Sequence, residues 1–310
     1  MIYEIYHKTT FSYQSLVTFS HNIARIKPAD SAFQRVLSFS MEIEPEVFEF
    51  FDFVDMFGNA NRHILVREAH QSLSVVGKSR VELLPDLMQR SINAIKQNSI
   101  TYAKALERLS SFHPDDLSAK QFLFESELIP NASLAIKKYA LESFHKNRDI
   151  FEATEEFMSR IFNDFTFLNG FSTITTPIET IFEAKKGVCQ DFAQFAISAL
   201  RAIGLPAKYI SGYIETKPPE GEEKLFGTDA SHAWFSVYIP SMGWVGFDPT
   251  NNIIPTDQHI ILGAGRDYND ISPLKGVVSS SGGSQLLVMV DVKRVDSKTL
   301  IQQQMQMQIQ

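Results

Sequence analysis

The sequence predicts an α+β fold: an N-terminal β-sandwich, a helical stretch, and a C-terminal unit in which a buried helix opening with cysteine is followed by an antiparallel hairpin. Three observations carry this. Residues 1–84 alternate between apolar and polar positions, as in Ile2-Tyr3-Glu4-Ile5-Tyr6-His7, Val36–Ile43, His63–Val66 and Leu73–Val76. Residues 85–160 change to helical spacing, as in Ala103-Leu106-Leu109 and Ala135-Ile136-Tyr139-Ala140. From Cys189 onward a helix pattern is followed by a hairpin pattern.

At 310 residues the chain is long enough for about two domains, and its 44% hydrophobic content supplies ample core. The divisions are a sandwich over 1–84, a helical connector over 85–160 that leads into the next unit and is open to contributing its early helices, an α+β unit over 161–295, and a Gln-rich tail over 296–310 that is low in complexity and expected to be disordered. Within the third part, Phe192, Phe195, Ala196, Ala199, Leu200 and Ile203 recur at spacings of three and four. Gly204 and Pro206 stop the helix. Gln285–Val292 reads as a final strand.

Cys189 is the one cysteine of the chain and lies in the first turn of that helix, behind Gly187-Val188. Unpaired backbone N–H groups and the helix dipole favour an anion there, and hence a thiolate. A thiolate attacks carbonyls well and a thiol poorly.

A base and its orienting partner follow downstream. Asp229–Ile239 alternates as a strand that opens near His232, and Gly243–Thr250 returns after Pro240-Ser241-Met242. A three-residue loop pairs Ile239 with Gly243, sets Trp234 opposite Asp248, and makes His232 and Asp248 diagonal neighbours on one face, roughly 7–8 Å apart at the backbone. A four-residue loop would put them on opposite faces. Separately, each residue has an ordinary reading: a core thiol, a structural histidine, a turn aspartate. Their joint order favours a catalytic set.

These segments resemble the transglutaminase-like superfamily, specifically the bacterial transglutaminase-like cysteine proteases of papain-like fold. The resemblance rests on Gly187–Ala193, Gly204–Tyr213, Asp229–Trp234, Gly243-Trp244 with Phe247–Asn251, and Gly265–Tyr268. In the N-terminal part it rests on Asp55–Asn61 and Ser79–Glu82. It spans most of residues 1–295, with 86–150 outside it. It implies a papain-like catalytic domain with a Cys189, His232, Asp248 triad. Gln190, Asp191 and Trp234 support it, Asp191 as a helix cap and Trp234 equally as a screen against water or as a strand aromatic packed into the core. Gln194 stands where many relatives carry histidine. Glu183 occupies the position from which papain-like proteases take a glutamine oxyanion donor, so the second donor stays unassigned.

The expected activity is thiol-dependent hydrolysis of a peptide or carboxamide bond through a thioacyl-enzyme, on a peptide or protein substrate. If an amine replaces water the same intermediate makes a transglutaminase or peptide-ligating acyltransferase, and a catalytically silent scaffold is the third reading. The loop Glu215–Lys224 lies between nucleophile and base and reads either as a solvated surface loop, the commoner identity, or as an active-site lid. No cofactor is expected, nor a metal, since the remaining histidines, His7, His21, His63 and His259 among them, show no metal-ligand spacing with a second cysteine. A net charge of −7 and the lack of a basic stripe argue against nucleic acid. No apolar run of membrane-spanning length and no signal-like N-terminus appear. With one cysteine there is no internal disulfide, and a cytoplasmic location is expected. The sequence leaves the oligomeric state open.

Overall fold

The computed structural model describes residues 1–216, 226–227 and 229–295. Strands β1 (Ile2–Val17), β2 (Phe19–Ala24), β3 (Gln34–Glu44), β4 (Glu49–Val54), β5 (Ala60–Val66) and β6 (His70–Leu83) open the chain. Helices α1 (Pro85–Asn98), α2 (Tyr102–Ser110), α3 (Pro114–Leu117), α4 (Leu134–Leu141) and α5 (Ile150–Asp164) follow. Next come β7 (Thr166–Phe167), α6 (Ile178–Ala184), β8 (Lys186–Gly187) and the central helix α7 (Cys189–Ala202). The chain continues through β9 (Ala207–Ile214), β10 (Ser231–Ile239), β11 (Gly243–Phe247), β12 (His259–Gly265), α8 (Tyr268–Ile271), β13 (Leu274–Ser279) and β14 (Ser284–Val295).

Two four-stranded sheets, ordered β14-β1-β6-β3 and β13-β2-β5-β4, form the sandwich. Tyr13, Val17, Ile64, Val66, Leu73, Val75 and Leu274 fill its core from both sides. The last two strands therefore belong here, and not with residues 161–273 as the division at 161–295 expects. Ile2 pairs with Val295 and the register runs unbroken to Tyr13 opposite Ser284. Alternation identifies such a strand but not its partner, because edge pairing is set by distant backbone. The Gln-rich tail, 296–310, lies outside the described residues.

The helices of residues 85–160 contribute to the core of the unit that follows them. Ile92, Tyr102, Leu109, Ile136, Phe151 and Phe157 share one core with Phe192, Phe195 and Leu200 of α7 and with Phe235 and Phe247. Helix α5 is capped by Asp149, whose carboxylate accepts from the N–H groups of Phe151 at 2.8 Å and Glu152 at 3.2 Å. Helix α7 is buried from Asp191 to Arg201, and it ends before Gly204, whose φ of +85° suits a residue without Cβ. Among the described residues no helix is long and apolar enough to cross a membrane.

The sheet under α7 has the order β11-β10-β9-β12, all antiparallel. The sheet packs on the sandwich through Tyr213, Ile260 and Leu262 against Tyr3, Ile5, Val81 and Val290. Among the described residues its edge strand β12 has no strand neighbour beyond it, and side-chain amides from the sandwich take that place. Gln34 Nε2 donates to the Ile261 carbonyl at 2.7 Å and Gln34 Oε1 accepts from the Ile261 N–H at 2.7 Å. Asn59 does the same at Ala264, at 2.8 Å each way. Two buried amides thus mimic a fifth strand and cover an edge that would otherwise expose its backbone.

Replacing Gln34 by alanine leaves the Ile261 N–H without its acceptor, while the Ile261 carbonyl keeps the bond it accepts from the Ala29 N–H at 3.1 Å. Gln34→Ala is expected to lower the unfolding free energy by about 1–3 kcal/mol, read as a lower urea midpoint, whereas an unchanged midpoint would show that water replaces the amide.

Candidate active site

The hairpin decides whether His232 and Asp248 meet. Strand β10 pairs with β11 as Ile239 opposite Gly243 and Phe235 opposite Phe247. Ser241 and Gly243 take positive φ of 71° and 100° to close the three-residue connection. Continued one step, this register sets Trp234 opposite Asp248. His232 Nε2 lies 2.7 Å from Asp248 Oδ2, and both side chains are buried.

Asp248 is the hub of a larger cluster. Its Oδ2 also accepts from His259 Nε2 at 2.9 Å and Asn251 Nδ2 at 2.7 Å. Its Oδ1 accepts from the N–H groups of Thr250 at 2.9 Å and Asn251 at 3.3 Å. Burial alone would raise the pKa of this carboxyl, but hydrogen bonds and charge from His232 and His259 hold it far below the usual carboxylate range. An ionised carboxylate only accepts, so His232 and His259 both carry their proton on Nε2. The free Nδ1 of His232 is left for the Cys189 sulfur.

Cys189 begins α7 and is half-buried. It is hydrogen-bonded to His232: burial would lower the histidine pKa, but the bonds and charges of Asp248 and Cys189 raise it to about 10. Asp191 sits at the third position of the helix, where its carboxylate accepts from the Val188 N–H at 2.8 Å and from the Ser172 hydroxyl. It shapes the helix start as a cap does. Burial raises its pKa, opposed by those two bonds. Gly187 is required by the same contact, because a Cβ there would lie 2.8 Å from the Asp191 carboxylate. Gln190 is half-buried beside the thiol.

Trp234 stacks near His232, ring centres 5.9 Å apart at 29°, and meets His259 edge-on at 5.0 Å. The indole reaches across β9 only because residue 212 is glycine: a Cβ there would stand 2.6 Å from the ring. His232, Asp248 and Trp234 thus gather on one face as the register predicts, with Cys189 against the imidazole.

Three contributors escaped the sequence reading. His259 comes from β12, two strands from β10, and only the sheet order brings it to Asp248. Asn251 follows Asp248 closely enough that an Asx-type turn after Asp-Pro-Thr was a usable signal. Tyr209 of β9 is buried, and its phenol is pushed well above its usual range by burial first and then by the negative charge of Cys189 and neighbouring acidic groups. His232, Asp248 and His259 bring three possible ligand atoms within 4.8 Å of one another. Here those atoms are hydrogen-bonded to each other, which a shared cation would require them to give up. The loop 215–224 lies outside the described residues from 217 onward.

Known proteins resemble the chain along most of its length. The pattern of the bacterial transglutaminase-like N-terminal region matches residues 3–82, and that of the transglutaminase-like superfamily matches 137–249. An uncharacterized protein of Mycobacterium tuberculosis is 35% identical over 298 residues, covering 94% of this chain and 92% of its own. One of Mycobacterium leprae is 27% identical over 298 residues, covering 94% and 98%. A protein-glutamine gamma-glutamyltransferase of Pseudomonas aeruginosa is 33% identical over 76 residues, 24% of this chain and 11% of that one. A candidate cysteine protease from Cytophaga hutchinsonii has the same fold, with a TM-score of 0.72, 21% identity and coverage of 96% and 91%. The two matched patterns, over residues 3–82 and 137–249, make this chain a member of the transglutaminase-like superfamily, with a bacterial transglutaminase-like N-terminal region.

Proposed function

We propose that the protein is a thiol hydrolase, a cysteine protease or amidase, in which Cys189 is the nucleophile, His232 the general base and acid, and Asp248 the orienting carboxylate. One observation carries this reading: His232 is bonded on one side to a buried, ionised Asp248 at 2.7 Å and on the other to a half-buried thiol at a helix start.

The thiolate sulfur attacks the carbonyl carbon of a peptide or carboxamide, and the carbonyl electron pair moves to oxygen. The Cys189 backbone N–H at the start of α7 faces the kind of charge that develops there, and a donor of this type is worth about 3–4 kcal/mol. As the oxyanion collapses, the His232 imidazolium gives its proton to the departing nitrogen, leaving a thioester on Cys189. Water, deprotonated by His232, attacks the thioester carbon, and the acid product leaves as the thiolate–imidazolium pair is restored. Asp248 stays ionised throughout and fixes the ring.

Water is the default acceptor wherever it is not excluded, and Cys189 is half-exposed. The matching stretch in the glutamyltransferase from Pseudomonas aeruginosa supports transfer to an amine as the second reading.

The first experiment is the rate of iodoacetamide alkylation against pH, interpretable because the chain has one thiol. Reactivity is expected to persist at about pH 6 in the wild type and to fall on the order of 10²-fold in His232→Ala. An equally inert thiol in both folded proteins would overturn the reading in favour of a silent scaffold. With peptide carboxamides, mass spectrometry is expected to find the free acid as the main product even when a primary amine is present; a dominant amine adduct would replace hydrolysis by transfer.

Asp248→Asn keeps the shape of the residue but removes the charge that two imidazoles share. Its activity is expected to fall about 10²- to 10⁴-fold. The pH dependence of stability has a definite sign. A histidine whose folded pKa is raised from about 6.5 to about 10 contributes stability that is complete below the lower value and is lost as pH rises through the upper one. The difference in melting temperature between wild type and His232→Gln should therefore shrink from pH 6.5 to pH 10. A constant difference across that range would contradict the ion pair.

A further inference from the structure

On the far side of Trp234 from His232 lies a separate chamber of about 210 Å³. Its floor is the outer face of the four-stranded sheet, and its roof is Phe33, Leu83 and Met88 of the sandwich and α1. Both tryptophans of the chain, Trp234 and Trp244, line it. A dry apolar cavity of roughly 150 Å³ holds a benzene ring, so the volume suits a molecule built around one ring.

Two polar groups on the wall are unused. Lys208 places its ammonium 4.4 Å from the Trp244 ring centre, and among the described residues no carboxylate pairs with it. Burial lowers its pKa to about 8, so it is still largely charged at neutral pH. His259 is 5% exposed; its Nε2 is committed to Asp248, and its Nδ1 is buried without a hydrogen-bond partner. Such groups are costly to leave unpaired in an apolar chamber. The Gln34 amide, also on the wall, is fully occupied by backbone.

We propose that this chamber is a binding site for a small ring-bearing carboxylate, with the ring between the two indoles and the carboxylate on the Lys208 ammonium. A charged head answers the unpaired cation, and the apolar body answers the walls. The site does not require Cys189 chemistry, but it touches the cluster through His259, which joins the chamber to Asp248.

Sodium benzoate is the probe, titrated into the full chain and followed by calorimetry and by fluorescence of the two wall tryptophans. Saturable binding at about millimolar or better is expected for nine heavy atoms. Acetate, which has the charge without the ring, and benzyl alcohol, which has the ring without the charge, should each bind at least tenfold more weakly. Lys208→Met should weaken benzoate at least tenfold, and Met88→Trp, which fills the chamber, should abolish binding, with both variants shown folded by circular dichroism. The proposal is overturned if the folded wild type shows no saturable benzoate binding, or if Lys208→Met binds benzoate as tightly as the wild type. Should a variant fail to fold, the comparison of benzoate with its two analogues on the wild type decides alone.

Discussion

A single buried carboxylate organises the candidate site. Asp248 is fully inside the protein and accepts five hydrogen bonds, three from side chains and two from the backbone that follows it. A charge in that position is tolerable only when its partners are fixed. The requirement passes outward to the hairpin register that brings His232, the turn that brings Asn251 and the sheet order that brings His259. Each is a condition for keeping Asp248 ionised, and an ionised Asp248 is what sets the tautomer of His232.

The N-terminal sandwich contributes to the same condition from a distance. Strand β12 carries His259 and is the edge of its sheet, so nothing in that sheet fixes its outer side. Gln34 and Asn59 fix it with paired amide bonds to Ile261 and Ala264. The closing strand β14 returns to the sandwich through its pairing with β1. The two parts therefore share a physical boundary: a satisfied edge, an apolar seam around Tyr213 and Tyr3, and the chamber beside Trp234. Stability in the sandwich and geometry at Asp248 are expected to be coupled.

Much of the site was legible because its signals are local. A cysteine after Gly-Val at the start of a three-and-four pattern marks a helix N-terminus, and Asp191 three residues into the cap marks the same place. The three-residue loop between β10 and β11 fixes the faces of His232 and Asp248, since side chains alternate along a strand. Gly187 and Gly212 show what the pattern alone could not explain. One leaves room for the Asp191 carboxylate and the other for the Trp234 ring, and neither neighbour can be inferred from spacing.

The sequence by itself determined the local periods: alternation in the sandwich, the buried helix behind Cys189, and the register of one hairpin. These follow from backbone geometry and the hydrophobic pattern within a few residues. The tertiary structure alone decided that strands near residues 274 and 295 return to the first sheets, that the helices of 85–160 share the core of α7, and that His259 shares Asp248 with His232. Those contacts join residues far apart in the chain, and a hydrophobic pattern states which face is buried without stating against what.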